Sequence, residues 1–157
     1  MKIGFMLPVM GAMATQENMV AMAQLAEARG FESVWVPDHV IMPTRIVSTY
    51  PYTKSGGFIA DPKGSHLDPI TSLAFVAGCT KRVRLGFSVL VAPYRHPVVT
   101  GKMMATIDVL SNGRLDVGVG AGWLNEEFED PLPNLWHDEE MEYEEIELTG
   151  NEEIELT

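Results

Sequence analysis

From residue 2 to about residue 125 the hydrophobic pattern alternates between short continuous apolar runs and longer stretches with helical spacing. Lys2 to Leu7 reads as a first buried strand, ended by Pro8 and Gly11. Thr15 then stands as an N-cap, and Met19, Met22, Ala23 and Ala26 recur at helical spacing, widened by Val20 and Leu25 and stopped at Gly30. Ser33 to Val36 is a second short strand. Asp68-Pro69 opens a helix with an N-cap and a proline in the first turn, and this helix runs through Leu73, Phe75 and Val76 to about Thr80. Arg84 begins a third strand, rich in Val, Leu and Phe, that reads as covered on both faces. His96-Pro97 starts a third helix carrying Val98, Met103, Met104, Ile107 and Leu110, closed by Ser111-Asn112-Gly113. Arg114 to Val119 is the fourth strand.

Strand and helix alternating in this way imply parallel strands joined by right-handed helical crossovers. Ligands of such sheets sit at the carboxyl ends of the strands. That rule gathers Leu7-Pro8, Val36-Pro37-Asp38-His39, Leu90 to His96 and Gly120 to Trp123 onto one rim. Between the second strand and the second helix, residues 40–66 lack periodicity but hold Tyr50-Pro51-Tyr52 ahead of Gly56-Gly57. Long aperiodic passages in compact domains are functional lids or disordered inserts, and the aromatic content favours a lid.

The chain has 157 residues, about one domain's worth, and is 46 % hydrophobic and 21 % charged, as soluble globular proteins are. Its net charge of -11 is unevenly placed: residues 126–157 hold 14 of the 22 acids and no Lys or Arg. Residues 1–125 carry eight acids against eleven bases, a balance of +3 with no basic block. Neither part suggests nucleic acid or an anionic membrane as a partner. No stretch reaches the roughly 18 apolar residues of a spanning helix. Lys2, the run from Ile3 to Gly11 and Ala12-Met13-Ala14 outline a short leader peptide, but Pro8 and Gly11 interrupt the run, and its removal would delete a strand that the core needs. Cys79, the only cysteine, reads as a small buried hydrophobe near a helix end, so no internal disulfide forms and the cytoplasm is the expected compartment.

Two motifs carry less than they first suggest. Gly118-Val119-Gly120-Ala121-Gly122 resembles a dinucleotide fingerprint, yet the third glycine would have to fall at Trp123, so close backbone packing is the simpler reading. His39, His66 and His96 lack companions at ligand spacing, and no metal site is expected. His39 itself follows a strand end beside Asp38, a position suited either to proton transfer or to anchoring the lid.

Taken together and in order, these segments are similar to the luciferase-like monooxygenase superfamily, and within it to the oxidoreductases that use the deazaflavin coenzyme F420. The resemblance is carried by Val34 to His39, Tyr50-Pro51-Tyr52, Leu67-Asp68-Pro69, Arg84 to Pro97, Ala105 to Leu115, Gly118 to Trp123 and Glu126-Glu127-Phe128. It implies an α/β fold, the N-terminal half of a (β/α)8 TIM-type barrel with about four parallel strands in residues 1–129. It also implies a bulged third strand with a non-prolyl cis peptide at Ser88-Val89, backing the cofactor ring. By the same resemblance Asp38 and His39 lie at the ring edge, His39 as acid/base or substrate-orienting group. Ala121 and Gly122 approach the cofactor, and Tyr50 and Tyr52 belong to the substrate lid.

The implied function is hydride transfer between F420 and a small organic substrate. A flavin mononucleotide (FMN) monooxygenase of the same superfamily is the alternative. A full barrel takes about 250 residues, so a truncated half barrel without catalysis is a third reading, with open sheet edges through which a second copy would associate. Residues 130–157 form an acidic tail, in which Leu135 to Glu144 faintly resembles a downstream segment of relatives. The tail ends in Glu144-Glu145-Ile146-Glu147-Leu148-Thr149 and its repeat Glu152 to Thr157. A hairpin with a three-residue loop sets Ile146 opposite Ile154 but also Glu147 opposite Glu153, and a disordered tail competes with it.

Overall fold

A computed structural model of the chain describes residues 1–58 and 64–129. The acidic tail, 130–157, for which a hairpin and disorder are the competing expectations, lies outside the described residues. The elements run β1 (Gly4–Met6), α1 (Gln16–Ala28), β2 (Ser33–Val36), α2 (Pro69–Cys79), β3 (Arg84–Val91), α3 (Pro97–Leu110), β4 (Leu115–Gly120) and α4 (Asn125–Glu129). The four strands form one parallel sheet in the order β1-β2-β3-β4. Helix α1 packs on β2 and α2, α2 on β3 and α3, and α3 on β4. This is the strand–helix alternation expected from the apolar pattern, folded as one sheet beneath one helical layer.

Local chemistry sets the element ends. The Thr15 hydroxyl accepts the Asn18 N–H at 3.3 Å and starts α1, and Asp68 Oδ1 accepts the Thr71 N–H at 2.7 Å and starts α2. Gly30 and the Asn112-Gly113 pair take positive φ where α1 and α3 stop. Segments 9–11 and 65–67 are tied together, Gly11 N–H to Ser65 and Leu67 N–H to Val9, so the far end of the lid passage is anchored beside the β1 exit.

The core lies between sheet and helices. Val34, Val36, Leu85 and Phe87 from the strands, Leu73 and Val76 from α2, and Ala23 from α1 are fully buried. Each such aliphatic or aromatic side chain contributes about 1.5–3 kcal/mol by leaving water. Leu7 and Val9, in the stretch that outlines a leader, belong to this same core.

Several residues expected inside lie outside. In α1 Leu25 is exposed, and in α2 so is Phe75. In α3 Ile107 is the one buried residue, while Val98, Met103 and Leu110 are exposed, because the main neighbours of α3 among the described residues, α2 and β4, cover only part of its apolar stripe. Strand β1, expected to be buried, is largely open, with Met6 50 % exposed, because among the described residues it is an edge strand; β3 is not covered throughout either, as Ser88 and Val89 are exposed. Cys79 is a half-buried thiol at the end of α2 rather than a core residue.

Two polar devices hold the sheet to the helices. Glu27 Oε2 accepts the N–H groups of Lys81, Arg82 and Val83, pinning α1 to the entry of β3. Burial opposes ionisation of Glu27, but these donors outweigh it and hold its carboxyl below the usual range. Arg114, although buried, spreads its guanidinium over the Ser111, Val83, Ala77 and Thr80 carbonyls and the Thr80 hydroxyl at 2.7–3.3 Å. Ala77 and Thr80 lie at the C-terminal end of α2, where a cation is favoured by the exposed carbonyls.

Candidate active site at the carboxyl rim

Three strand exits meet at His39. It follows β2, and its Nδ1 lies 3.1 and 3.2 Å from the two carboxylate oxygens of Glu127 in α4. The Glu127 side chain is 1 % exposed. Its Oε2 also accepts the hydroxyl of Tyr94, 2.5 Å away, from the 3₁₀ turn Ala92–Tyr94 after β3. Burial first, and then the hydrogen bond to Glu127, push the Tyr94 phenol well above its usual range, so it stays a donor. A carboxylate only accepts, so Nδ1 carries the hydrogen and Nε2 is left for the cleft that His39 lines.

Asp38, the neighbour of His39, is buried and fully engaged. Arg95 reaches both its oxygens, at 2.5 and 2.9 Å, and Oδ2 takes the Val91 N–H at 2.8 Å. Arg95 also meets Asp68 at 3.2 Å. Burial disfavours the charge on Arg95, yet its bonds to Asp38 outweigh that and raise its pKa. Asp38 thus contributes a wall and ties the exit of β2 to that of β3, with its carboxylate already committed.

The wall opposite is the β3 bulge. The ladder to β4 pairs Phe87 with Val117 and then Leu90 with Val119, so β3 carries one residue more than its partner over this step. The Ser88-Val89 peptide there is cis, as the resemblance implies. Room for it comes from the glycines of β4: a Cβ on Gly120 would stand 2.5 Å from Val89 Cγ2, and one on Gly118 2.5 Å from the Phe87 carbonyl oxygen. The run that resembles a dinucleotide fingerprint is therefore a seat for the bulge. Trp35 uses the same device lower in the sheet, lying across Gly4 and Gly86, with its indole N–H on Ser33 Oγ at 2.7 Å.

Over this rim runs the passage expected to be a lid, whose Tyr50, Tyr52 and Phe58 line the same cleft. Residues 40–58 of it form neither helix nor strand, His66 is bridged to Met10, and residues 59–63 lie outside the described residues. Glu126 Oε1 accepts the Val47 and Ser48 N–H groups at 2.5 and 2.8 Å, while the Asn125 N–H donates to Ser48 Oγ. Hydrogen bonds from Ser48, side chain and backbone, and from the Val47 N–H bring the Glu126 carboxyl down to about 2. Tyr50 packs on Trp123 with ring centroids 4.9 Å apart and on Tyr52 at 5.5 Å.

The cleft has a volume of about 620 Å³, is partly open to solvent, and is lined by His39, Ser88, Val89, Ala121, Gly122 and Trp123 among others. That volume falls within the roughly 300–1,000 Å³ of sites for cofactor-sized ligands. Ser88 and Val89 are exposed in a cleft they share with the small residues Ala121 and Gly122, so a flavin or deazaflavin ring is compatible with these residues. A second groove, of about 660 Å³ between α2 and α3, includes Tyr94 and Arg95 but neither His39 nor the bulge.

All the site residues expected from sequence, Asp38, His39, Ser88, Val89, Ala121, Gly122, Tyr50 and Tyr52, line this one cleft. Glu127, Tyr94 and Arg95, which orient them, were not singled out. Among the described residues no cluster of three or more His, Cys, Asp or Glu could hold a metal ion, and no helix is long and apolar enough to cross a membrane.

Residues 1–134 match the family model described as luciferase-like monooxygenase. The oxygenase component of a flavin-dependent trigonelline monooxygenase from Acinetobacter baylyi is 30 % identical over 119 residues, 76 % of this chain and 28 % of that protein. An F420-dependent glucose-6-phosphate dehydrogenase from Amycolatopsis mediterranei is 36 % identical over 106 residues, 67 % of this chain and 27 % of that protein. Among solved structures, a monooxygenase from Streptomyces bottropensis superposes with a TM-score of 0.59 at 31 % identity, over 82 % of this chain and 36 % of that one. The chain spans less than two fifths of the length of the curated relatives it matches.

Proposed function

We propose that this chain, which belongs to the luciferase-like monooxygenase family, provides the cofactor wall and acid/base group of an oxidoreductase that moves a hydride between deazaflavin F420 and a small organic substrate. The observation that carries this reading is the juxtaposition of His39, fixed through Nδ1 by buried Glu127, with the exposed Ser88-Val89 face across one cleft. When bound, the ring would supply the hydride chemistry, and the protein supplies orientation and electrostatics. Ser88, Val89, Ala121 and Gly122 would back the ring. Asp38 holds the rim together through Arg95. His39 Nε2 would take or give the proton at a substrate oxygen, with Glu127 and Tyr94 keeping the imidazole in one tautomer. The lid, fastened by Glu126, would exclude water.

An FMN-dependent monooxygenase is the second reading, supported by the flavin-dependent relative at 30 % identity. The single cysteine supports the cytoplasm as compartment. Titration of the purified protein with F420 and with FMN, followed by absorbance and fluorescence, ranks the two. Saturable binding of F420 with little of FMN supports hydride transfer, and the reverse supports the monooxygenase. Binding of neither at high micromolar concentration overturns both and leaves a half barrel without catalysis.

A further inference from the structure

The ring side chains over the cleft point to the chemistry of its substrate. Tyr50, Phe58 and Trp123 meet one another with centroids 4.9–5.1 Å apart. His39 stands edge-on to Trp123 at 6.3 Å and 5.2 Å from Phe58. All of them line the cleft, and no Lys or Arg is among its described lining residues. The two nearby carboxylates are already held, Asp38 by Arg95 and the Val91 N–H, Glu127 by His39 and Tyr94. An anionic group brought here would lose water without gaining a cation, and it would face the negative faces of the rings. A flat neutral ring stacks on such a wall, and a cationic one gains further from the π faces.

We propose that, beside the cofactor ring, the Trp123 and Tyr50 side of the cleft takes a planar aromatic substrate, neutral or positively charged, and rejects substrate rings bearing a carboxylate or phosphate. The proposal rests on reading the rim cleft as the redox site and names the substrate class for it. Intrinsic fluorescence titration of the full chain, with and without FMN or F420, tests it with quinoline, N-methylquinolinium and 2-naphthoate as probes. Quinoline and N-methylquinolinium should quench saturably and bind about tenfold or more tighter than 2-naphthoate. Trp123→Leu should remove most of the quenching. Tyr50→Leu, on the lid and away from the core, should weaken binding about fivefold with an unchanged circular dichroism spectrum. Equal or tighter binding of 2-naphthoate overturns the proposal, and so does binding indifferent to both substitutions. If the rings bind with the stated preference while neither FMN nor F420 binds, the redox reading fails and the aromatic site stands. If a cofactor binds and the rings do not, the aromatic site fails and the redox reading stands.

Discussion

At the scale of single residues the acid/base role proposed for His39 turns on which of its nitrogens carries the hydrogen, and Glu127, 88 positions further along the chain, meets one of them. His39→Ala should lower turnover by about 10²–10⁴-fold, the usual contribution of a positioned acid or base. Glu127→Gln keeps the size of the side chain but lets the amide donate to Nδ1, permitting the wrong tautomer. It should cost about ten- to a hundredfold in kcat with little change in KM, and it should alter the pH profile of kcat/KM, which a purely structural loss would not. Steady-state kinetics on the three proteins check both. His39 was legible because a histidine just past a strand end stands out. Glu127 was not, because Glu126-Glu127 in an acidic run reads as a solvated helix face. One of that pair holds the lid and the other is buried under the imidazole. Similarly, Asp38 reads as a free carboxylate beside a histidine until Arg95 is seen on both its oxygens.

Elements are joined by backbone groups that charged side chains satisfy, and two of these junctions can be tested. Arg114 bridges the end of α2 and the approach to β3 through a planar fork that lysine cannot reproduce. Arg114→Lys should leave buried carbonyls unpaired and cost about 1–3 kcal/mol, read as a lower urea midpoint with unchanged slope. The lid latch is a matter of pH. The Glu126 carboxyl titrates at about 2 when the latch is formed, against an ordinary value of 4.5. Its contribution is therefore complete above pH 4.5 and fades as pH falls toward 2. Trp123 emission, reporting lid closure, should stay constant from neutral pH down to about 5 and change only in acid. Glu126→Gln should give the opened signal at every pH. Strand and helix identities were readable from period and caps, and the four strands fall close to where the apolar runs place them. What the pattern could not convey was which helix faces have neighbours: the apolar stripe of α3 is wider than the flank that α2 and β4 cover. Nor does a Gly-x-Gly-x-Gly spacing reveal that its glycines make room for a bulge on the adjacent strand.

For the whole molecule the question is what the sheet edges meet. Among the described residues β1 and β4 are each paired on one side only. On β4 itself Val117 is 43 % exposed and Val119 61 % exposed, with Val109 and Leu110 of α3 also open to solvent. Unpaired backbone next to apolar side chains is a template for association, whether with further strands of a barrel or with another chain. The 157-residue polypeptide should therefore self-associate through these edges. Sedimentation velocity at micromolar concentration should show dimers or larger species, and Val117→Lys with Val119→Lys should shift the distribution toward monomer while the circular dichroism spectrum is kept. A wild-type chain that sediments as a monomer across the accessible concentrations would remove the edge contact. If dimers persist in the lysine variants, association lies elsewhere, and the groove between α2 and α3 becomes the surface to substitute next.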